Sequence, residues 1–458
     1  MADIKISAFP VVTSAGPTDT TTIIQSGANA NITVSDLFAS IQSGTDIKTV
    51  NGRNIVGAGD VSVEQTDTTL TYTYTGTLDV PPVWFPASAV VLSSSATGDR
   101  GYSVFLSPAN QRLTSIEFTN LVFLGSSFSP ASMPQLTSLS LPELVTVGAH
   151  FGPNAMSALT TFSAPKLESV GANFSSNTFA ALTTFSFPEL TIVGGNFAPT
   201  TMAALTTFSV PELATVIGNF APTTMASLTS LSAPKLVAVG SAFTPGTMAA
   251  LTTMSFAALT SIGGNFAPTT MGALTTLSIP ELLSVGGNFA PTTMASLTSL
   301  SAPKLAVVGG IFSPSTMAAL TTMSFAALTS IGGNFVPTTM AALTTISIPA
   351  MESIGTTITS GSVISIIAGT AALTTFQLPT TLKQVGSGAG NVVITSAALN
   401  QASVDSILVQ LAALDGTNGT TAFSGRTVTI TGTSSTPSAT GLAAKATLVA
   451  RGCTVTNN

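Results

Sequence analysis

Apolar residues recur through the middle of the chain with a period of 23, and the polar residues between them keep the same phase. Units begin at Leu113, Leu136, Leu159, Leu182, Leu205, Leu228, Leu251, Leu274, Leu297 and Leu320, and LTTLSIPELLSVGGNFAPTTMAS (274–296) is a representative copy. An eleventh begins at Leu343 and a twelfth at Leu373, the former lengthened by seven residues around 360–369. The first, fourth, usually sixth, ninth, twelfth and sixteenth positions are apolar. Strand side chains alternate between faces, so Leu277 and Ile279 are expected to point inward and Thr276 and Ser278 outward. Pro280 lacks a backbone donor and should end that strand. A second short strand should carry Leu282 and Val285, with Gly286 turning the chain after it. A unit this short cannot bury its apolar side alone, and a period of this size marks a stack of repeats. The pattern predicts a mainly β solenoid of 23-residue turns.

Several positions are nearly constant. Phenylalanine recurs at Phe128, Phe151, Phe174, Phe197, Phe220, Phe243, Phe266, Phe289, Phe312 and Phe335, and methionine follows five residues later from Met133 to Met340, with Phe179 in one copy. In a stack each series becomes a buried column at the ~4.8 Å strand spacing. The asparagine of GGNF, as in Asn173, Asn196, Asn265, Asn288 and Asn334, reads as an inward ladder whose amides bond turn to turn and satisfy turn carbonyls. The position after the proline varies as Glu143, Lys166, Glu189, Glu212, Lys235, Ala258, Glu281, Lys304 and Ala327, a solvated rim of mixed sign. Residues 228–296 resemble 297–365 as a block of three units, which points to growth by triplet duplication.

LTTISIP…SIG (343–355) and LTTLSIPELLSVGGNF (274–289) resemble the BspA-like, or treponemal-type, leucine-rich repeat family, over about 260 residues. The resemblance implies an extended binding or adhesion surface and no reaction. The unit's end departs from that family, with APTTMAA where a cysteine is common. Its proline and threonine content predicts an irregular or 3₁₀ segment there.

Both ends break the period. ADIKISAFPVVTSAGPTDTTTIIQSGANANITVSDLFASI (2–41) and KTVNGRNIVGAGDVSV (48–63) resemble the amino-terminal region of bacteriophage fibre and other virion-attached proteins, and asparagine-glycine corners suit tight turns between short strands. That resemblance implies a particle anchor, commonly trimeric. Residues 1–66 are therefore expected to anchor and oligomerise, and 67–112 to form a β-rich connector and cap, with LTYTYTGTLDV (70–80) as an exposed strand and Trp84 as a packing residue. The solenoid is assigned to 113–398 and an α/β carboxyl-terminal cap to 399–458. In that cap Val404, Ile407, Leu408 and Leu411 fall on one helical face, with Ser403 as cap and Gly416 as terminator. A second helix is expected over 441–452, stopped by Arg451 and Gly452. The closing segment, 438–458, resembles a terminal segment found after such repeats in phage and bacterial surface proteins, which implies capping of an open solenoid end.

Composition removes several function classes. Only 7% of residues are charged, the net charge is −6, and the twelve basic residues are scattered, so no nucleic-acid footprint exists. The start, MADIKISAFPVV, does not read as a secretory signal, and no apolar run of 18 residues suggests a membrane span. One cysteine, Cys453, and one histidine, His150, exclude a disulfide and metal-ligand spacing within the sequence, and no cofactor is implied. His150 stands where asparagine is usual and reads as a substituted ladder residue. GSGAG (386–390) lacks the context of a dinucleotide site and reads as a loop. Cys453 reads as a small core residue. Carboxylates are too sparse and regular for a glycosidase pair. A non-enzymatic protein is expected.

These features lead to a virion structural protein, a tail or capsid fibre or decoration. It would be joined to other virion proteins through its amino-terminal region as a homotrimer and display the solenoid to a host cell-surface receptor. The candidate binding face is the outward column Thr161, Thr184, Thr207, Thr253, Thr276, Thr322 and Thr345. Two alternatives remain: a bacterial surface adhesin, disfavoured by the missing signal and wall anchor, and an ice-binding solenoid, disfavoured because Ser138, Ser230 and Ser299 interrupt the column.

Overall fold

The structure is a computed structural model. It describes residues 114–458 apart from 119–120, 126, 359, 368 and 388–389, and, earlier in the chain, the backbone of seven strands. The anchor expected over 1–66, apart from those strands, and Trp84 lie outside the described residues. The chain divides into two compact units, Met1–Pro188 and Glu189–Asn458.

In both units one turn of the coil is one 23-residue repeat, and its backbone pairs with the turns before and after it. The first side is a three-residue strand at positions three to five. Ser115–Glu117, Ser138–Ser140 and Thr161–Ser163 pair in parallel in the first unit, and Ser230–Ser232, Thr253–Ser255 and Thr276–Ser278 do so in the second. The second side is a two-residue strand at positions eleven and twelve, continuous in the second unit from Ile192–Val193 to Gln384–Val385. Leu282 precedes Ser284–Val285 rather than belonging to it, because the position-nine amide closes a β-turn onto the position-six carbonyl. Proline at position seven is i+1 of that turn, where its fixed φ fits.

The third side corrects the expectation of an irregular or 3₁₀ segment. It is extended and ladder-paired, through single parallel bridges at positions sixteen and nineteen, such as Phe220↔Phe243 and Thr269↔Thr292. Position twenty then turns left-handed in ten successive repeats, from Ser132 to Thr339, with φ between 53° and 61°. Eight of these residues are threonine, a β-branched type that rarely adopts positive φ. The backbone holds them there. In repeat after repeat the position-twenty amide donates to the next turn's position-nineteen carbonyl, and the methionine amide to the next position-twenty carbonyl, as in Thr201 to Thr223 and Met202 to Thr224.

Inside, the phenylalanine and methionine columns are buried as expected. From Phe197 to Phe335 successive rings stack with centroids 4.9–5.5 Å apart, the strand spacing itself. Phe256 packs edge-on against both Phe220 and Phe243.

The extra residues of the eleventh repeat form a longer strand, Ser362–Ile366, whose Ile364 bridges Phe335 in place of the next phenylalanine. From that strand the third side widens into a parallel sheet with Asn391–Ala397, Thr427–Gly432 and Thr454–Asn457. Helix α1 (Gln401–Ala413) and helix α2 (Ala439–Ala450) make the crossovers. Val404, Ile407, Leu408 and Leu411 are buried as expected. The cap of α1 is Asn400, not Ser403: Asn400 Oδ1 accepts the Ser403 amide at 2.9 Å. Ser403 lies within the helix, buried, its hydroxyl donating to the Thr374 carbonyl and accepting from the Phe376 amide. Its short polar side chain thus pins the helix to the last first-side strand. The helix ends at Leu414, two residues before Gly416. Helix α2 ends at Arg451, with Gly452 at φ 77°.

At the amino-terminal end, Thr49–Val50 and Arg53–Asn54 pair antiparallel, and the Asn51-Gly52 corner expected between them lies outside the described residues. Thr69–Thr75 is paired on both edges, to Asp60–Thr66 and Ala89–Ser94, and the latter joins Ser115–Glu117.

Two substitutions test this packing. Phe220→Ala opens a cavity in the stacked column and is expected to cost roughly 3–5 kcal/mol in chemical denaturation. Ser176 occupies the buried position filled by Pro130 and Pro153 in the two preceding turns, and its hydroxyl has no partner. Ser176→Pro removes that group and restricts the unfolded chain, so a gain of about 1 kcal/mol is expected in the same assay.

Candidate functional site

The outward residues of the first side form a regular surface. Thr161, Thr184, Thr207 and Thr276 are exposed, and Thr253, Thr322 and Thr345 are half-buried. Beside them runs a second column, at position two, which is threonine in all twelve repeats from Thr114 to Thr374. The alternation rule points to positions three and five and passes over position two, although the greater uniformity of position two was visible in the sequence. Its hydroxyls are occupied: Thr252 Oγ1 donates to the Thr229 carbonyl at 3.1 Å, and Thr344 to that of Thr321 at 3.0 Å. Each such bond satisfies a carbonyl at the strand's entry and fixes the threonine rotamer, leaving methyl groups and the position-three hydroxyls to face solvent.

The second corner, GGN, corrects the asparagine assignment. The ladder exists, but it lies at the partly exposed corner, and it joins side chain to backbone. Asn265 Oδ1 accepts the Asn288 amide at 2.8 Å, and Asn288 Oδ1 accepts the Ile311 amide at 2.7 Å. At this corner the amides of positions thirteen and fourteen donate to carbonyls of the preceding turn, whereas that of position sixteen donates to the following one. Position fifteen falls where the direction reverses, and the asparagine oxygen supplies the missing acceptor. The glycines make room for it. A Cβ on Gly286 would lie 2.2 Å from the Gly263 carbonyl oxygen, and one on Gly287 2.2 Å from Asn265 Oδ1. The ladder ends at Asn334, whose buried Oδ1 has no partner, because the next turn carries the insertion and the Thr357 amide donates to Gly332 instead.

Several described titratable groups are bonded within the fold. His150 stands in the ladder: its amide donates to Ser127 Oγ and its Nδ1 accepts from the Asn173 amide, both at 3.3 Å. On the rim, lysines pair with glutamates one turn earlier, Lys166 with Glu143, Lys235 with Glu212 and Lys304 with Glu281, and at the entry to the second side Lys383 pairs with Glu352. Arg426 is 5% exposed. It lies over the Phe423 ring and donates to the Val385 and Ala422 carbonyls, tying the cap to the last second-side strand. Burial lowers its pKa from the usual guanidinium value. Cys453 is buried immediately before the last strand. Among the described residues no cluster of His, Cys, Asp and Glu could hold a metal ion. Gly386 and Gly390 take positive φ between two strands.

His150→Asn keeps an acceptor in the ladder and is expected to change stability by less than about 0.5 kcal/mol. Gly287→Ala forces a methyl group onto Asn265 Oδ1 and should lower stability by about 1–3 kcal/mol, read from denaturation midpoints.

No family model and no curated protein matches the sequence. Among solved structures the chain is similar to a leucine-rich repeat protein from Bacteroides ovatus, at 12% identity, over 82% of this chain and 94% of that one, with a TM-score of 0.27. A superposition that loose carries no argument of its own, and the solenoid assignment rests on the 23-residue strand register.

Proposed function

We propose that the chain is a non-enzymatic structural protein of a bacteriophage particle, a fibre or decoration of tail or capsid, that displays its solenoid for adhesion to a host cell-surface receptor. The observation that carries this reading is how the side chains are used. His150, Arg426 and the rim lysines all bond within the fold, while the outward first side, apart from Glu117, is largely a neutral array of threonine and serine. Such a surface suits repeated weak contacts with a polymer or glycan better than bond-breaking chemistry, which needs convergent titratable groups.

Placement on a particle rests on the fibre-like motifs of residues 2–41 and 48–63, and with them the homotrimer and the attachment to other virion proteins. The BspA-like repeat motif supports adhesion. No described helix is long and apolar enough to cross a membrane.

Deleting residues 1–66 is expected to leave a folded solenoid that no longer joins the particle, measured by electron microscopy and by quantifying the protein in purified virions. Incorporation at full copy number would refute the anchor. Finding the full chain on bacterial surfaces and on no particle would favour the adhesin.

A further inference from the structure

In the unit Glu189–Asn458, the exposed large apolar side chains of the described solenoid turns are segregated. Ile192, Ile217, Val237, Leu283, Val307 and Ile311 lie on the second side or the corner after it, and the one other, Ile367, follows the inserted strand of the eleventh repeat, outside the regular turns. Exposed apolar residues gathered on one face mark an interaction surface.

Two of them depart from corner columns: Ile217 interrupts the position-thirteen glycines, and Ile311, like Ala242 and His150, replaces the usual asparagine at position fifteen. Ile217, 56% exposed, stands at position thirteen, where glycine is packed against the preceding carbonyl. Ile311 stands in the asparagine ladder and has no oxygen to offer the next turn. Each departure gives up a local backbone fit and gains an exposed isoleucine.

Their placement is symmetric about the repeat that begins at Leu251. Val237 and Leu283 both occupy position ten, one turn to either side. Ile217 lies two turns before the centre. Two turns after it, position thirteen is Gly309, exposed and flanked by Val307 and Ile311 at positions eleven and fifteen. The rim follows the same symmetry with signs inverted: Glu212 and Lys235 precede the centre, Glu281 and Lys304 follow it, and Ala258 lies between.

We infer that this face binds the same face of a second copy of the chain, the two solenoids antiparallel about a twofold axis that runs along the strand direction at Thr260. A twofold interface is self-complementary, each residue meeting the counterpart of its own partner. The axis sets every turn opposite the turn equally far beyond the centre, position facing position. Val237 packs on Leu283 of the second copy. Ile217 enters the hollow over Gly309 between Val307 and Ile311. Glu212 faces Lys304 and Lys235 faces Glu281, so rim charges favour this register. Seven second-side strands overlap, Ile192–Val193 to Ser330–Ile331. At ~4.8 Å per turn and about six residues of ~3.3 Å across, they cover roughly 670 Å² per copy, about 1,300 Å² in all, the lower part of the stable range. This inference is independent of the particle role.

The test is sedimentation of the full chain over a concentration series, beside the double variant Ile217→Gly, Ile311→Asn. Both changes restore the residue its column normally carries, so the variant is expected to fold, which circular dichroism checks. Whatever order the amino-terminal region imposes, the wild type should reach twice the variant's mass, with association weakened at least about tenfold in the variant. Equal masses at every concentration would overturn the inference. Orientation is read by oxidation of single-cysteine variants on a Cys453→Ser background: Val237→Cys mixed with Leu283→Cys should cross-link and neither alone should. Cross-linking of Val237→Cys with itself would rule out the antiparallel register.

Discussion

The solenoid depends on one constraint: a turn of this backbone cannot pair its own strands, so its amides must find acceptors 23 residues away. The three sides meet that demand differently, by strands of three and two residues and by single bridges at positions sixteen and nineteen. All three need the same offset, because a strand slipped by one residue turns every side chain to the wrong face. The eleventh repeat shows how the constraint is kept under insertion. Its extra residues leave after Gly355 and form a strand of their own, and the first side resumes with Thr345 opposite Thr375.

Side-chain identity at the corners follows from where this ladder fails. Position fifteen lies where amides stop pointing back and start pointing forward, and an asparagine oxygen fills the gap. At Gly286 and Gly287 the preceding carbonyl and that oxygen leave no room for a Cβ, although Ile217 and Ser241 carry one at the same two positions in other turns. The left-handed threonines are the converse case. Two hydrogen bonds per turn force a conformation that a β-branched residue alone would avoid, and strain of this kind persists only when the surroundings over-determine it.

What the sequence revealed divides along the same line. The phenylalanine and methionine columns, the inward Leu and Val positions and both carboxyl-terminal helices were legible, because burial imprints its period directly on residue type. The direction of the asparagine side chain was not, since it depends on the reversal of amide direction at a corner. Nor was the extended third side, because proline and threonine at positive φ look like an irregular turn. Ser403 looked like a cap and is a buried tether. The hidden register there is that of Thr374 and Phe376, some thirty residues away. On the candidate face, alternation found the outward threonines but not the more uniform column beside them, whose role is to bond the carbonyl of the turn below.

Function sits on what the ladder leaves free. Inward positions are committed to the columns and most corner positions to completing the backbone pairing, whereas the rim and the outward residues of the first and second sides vary. Of the two sides, one carries neutral hydroxyls and the other exposed aliphatic groups. Native-state hydrogen exchange, resolved by residue, tests the central claim most directly. If turn-to-turn pairing at all three sides holds the coil, the amides of Phe220, Phe243, Phe266 and Phe289 and of the residues that donate to the asparagine oxygens should be protected as strongly as those of the first-side strands. Fast exchange at the phenylalanine and asparagine-bonded amides, with protection confined to the first side, would contradict it.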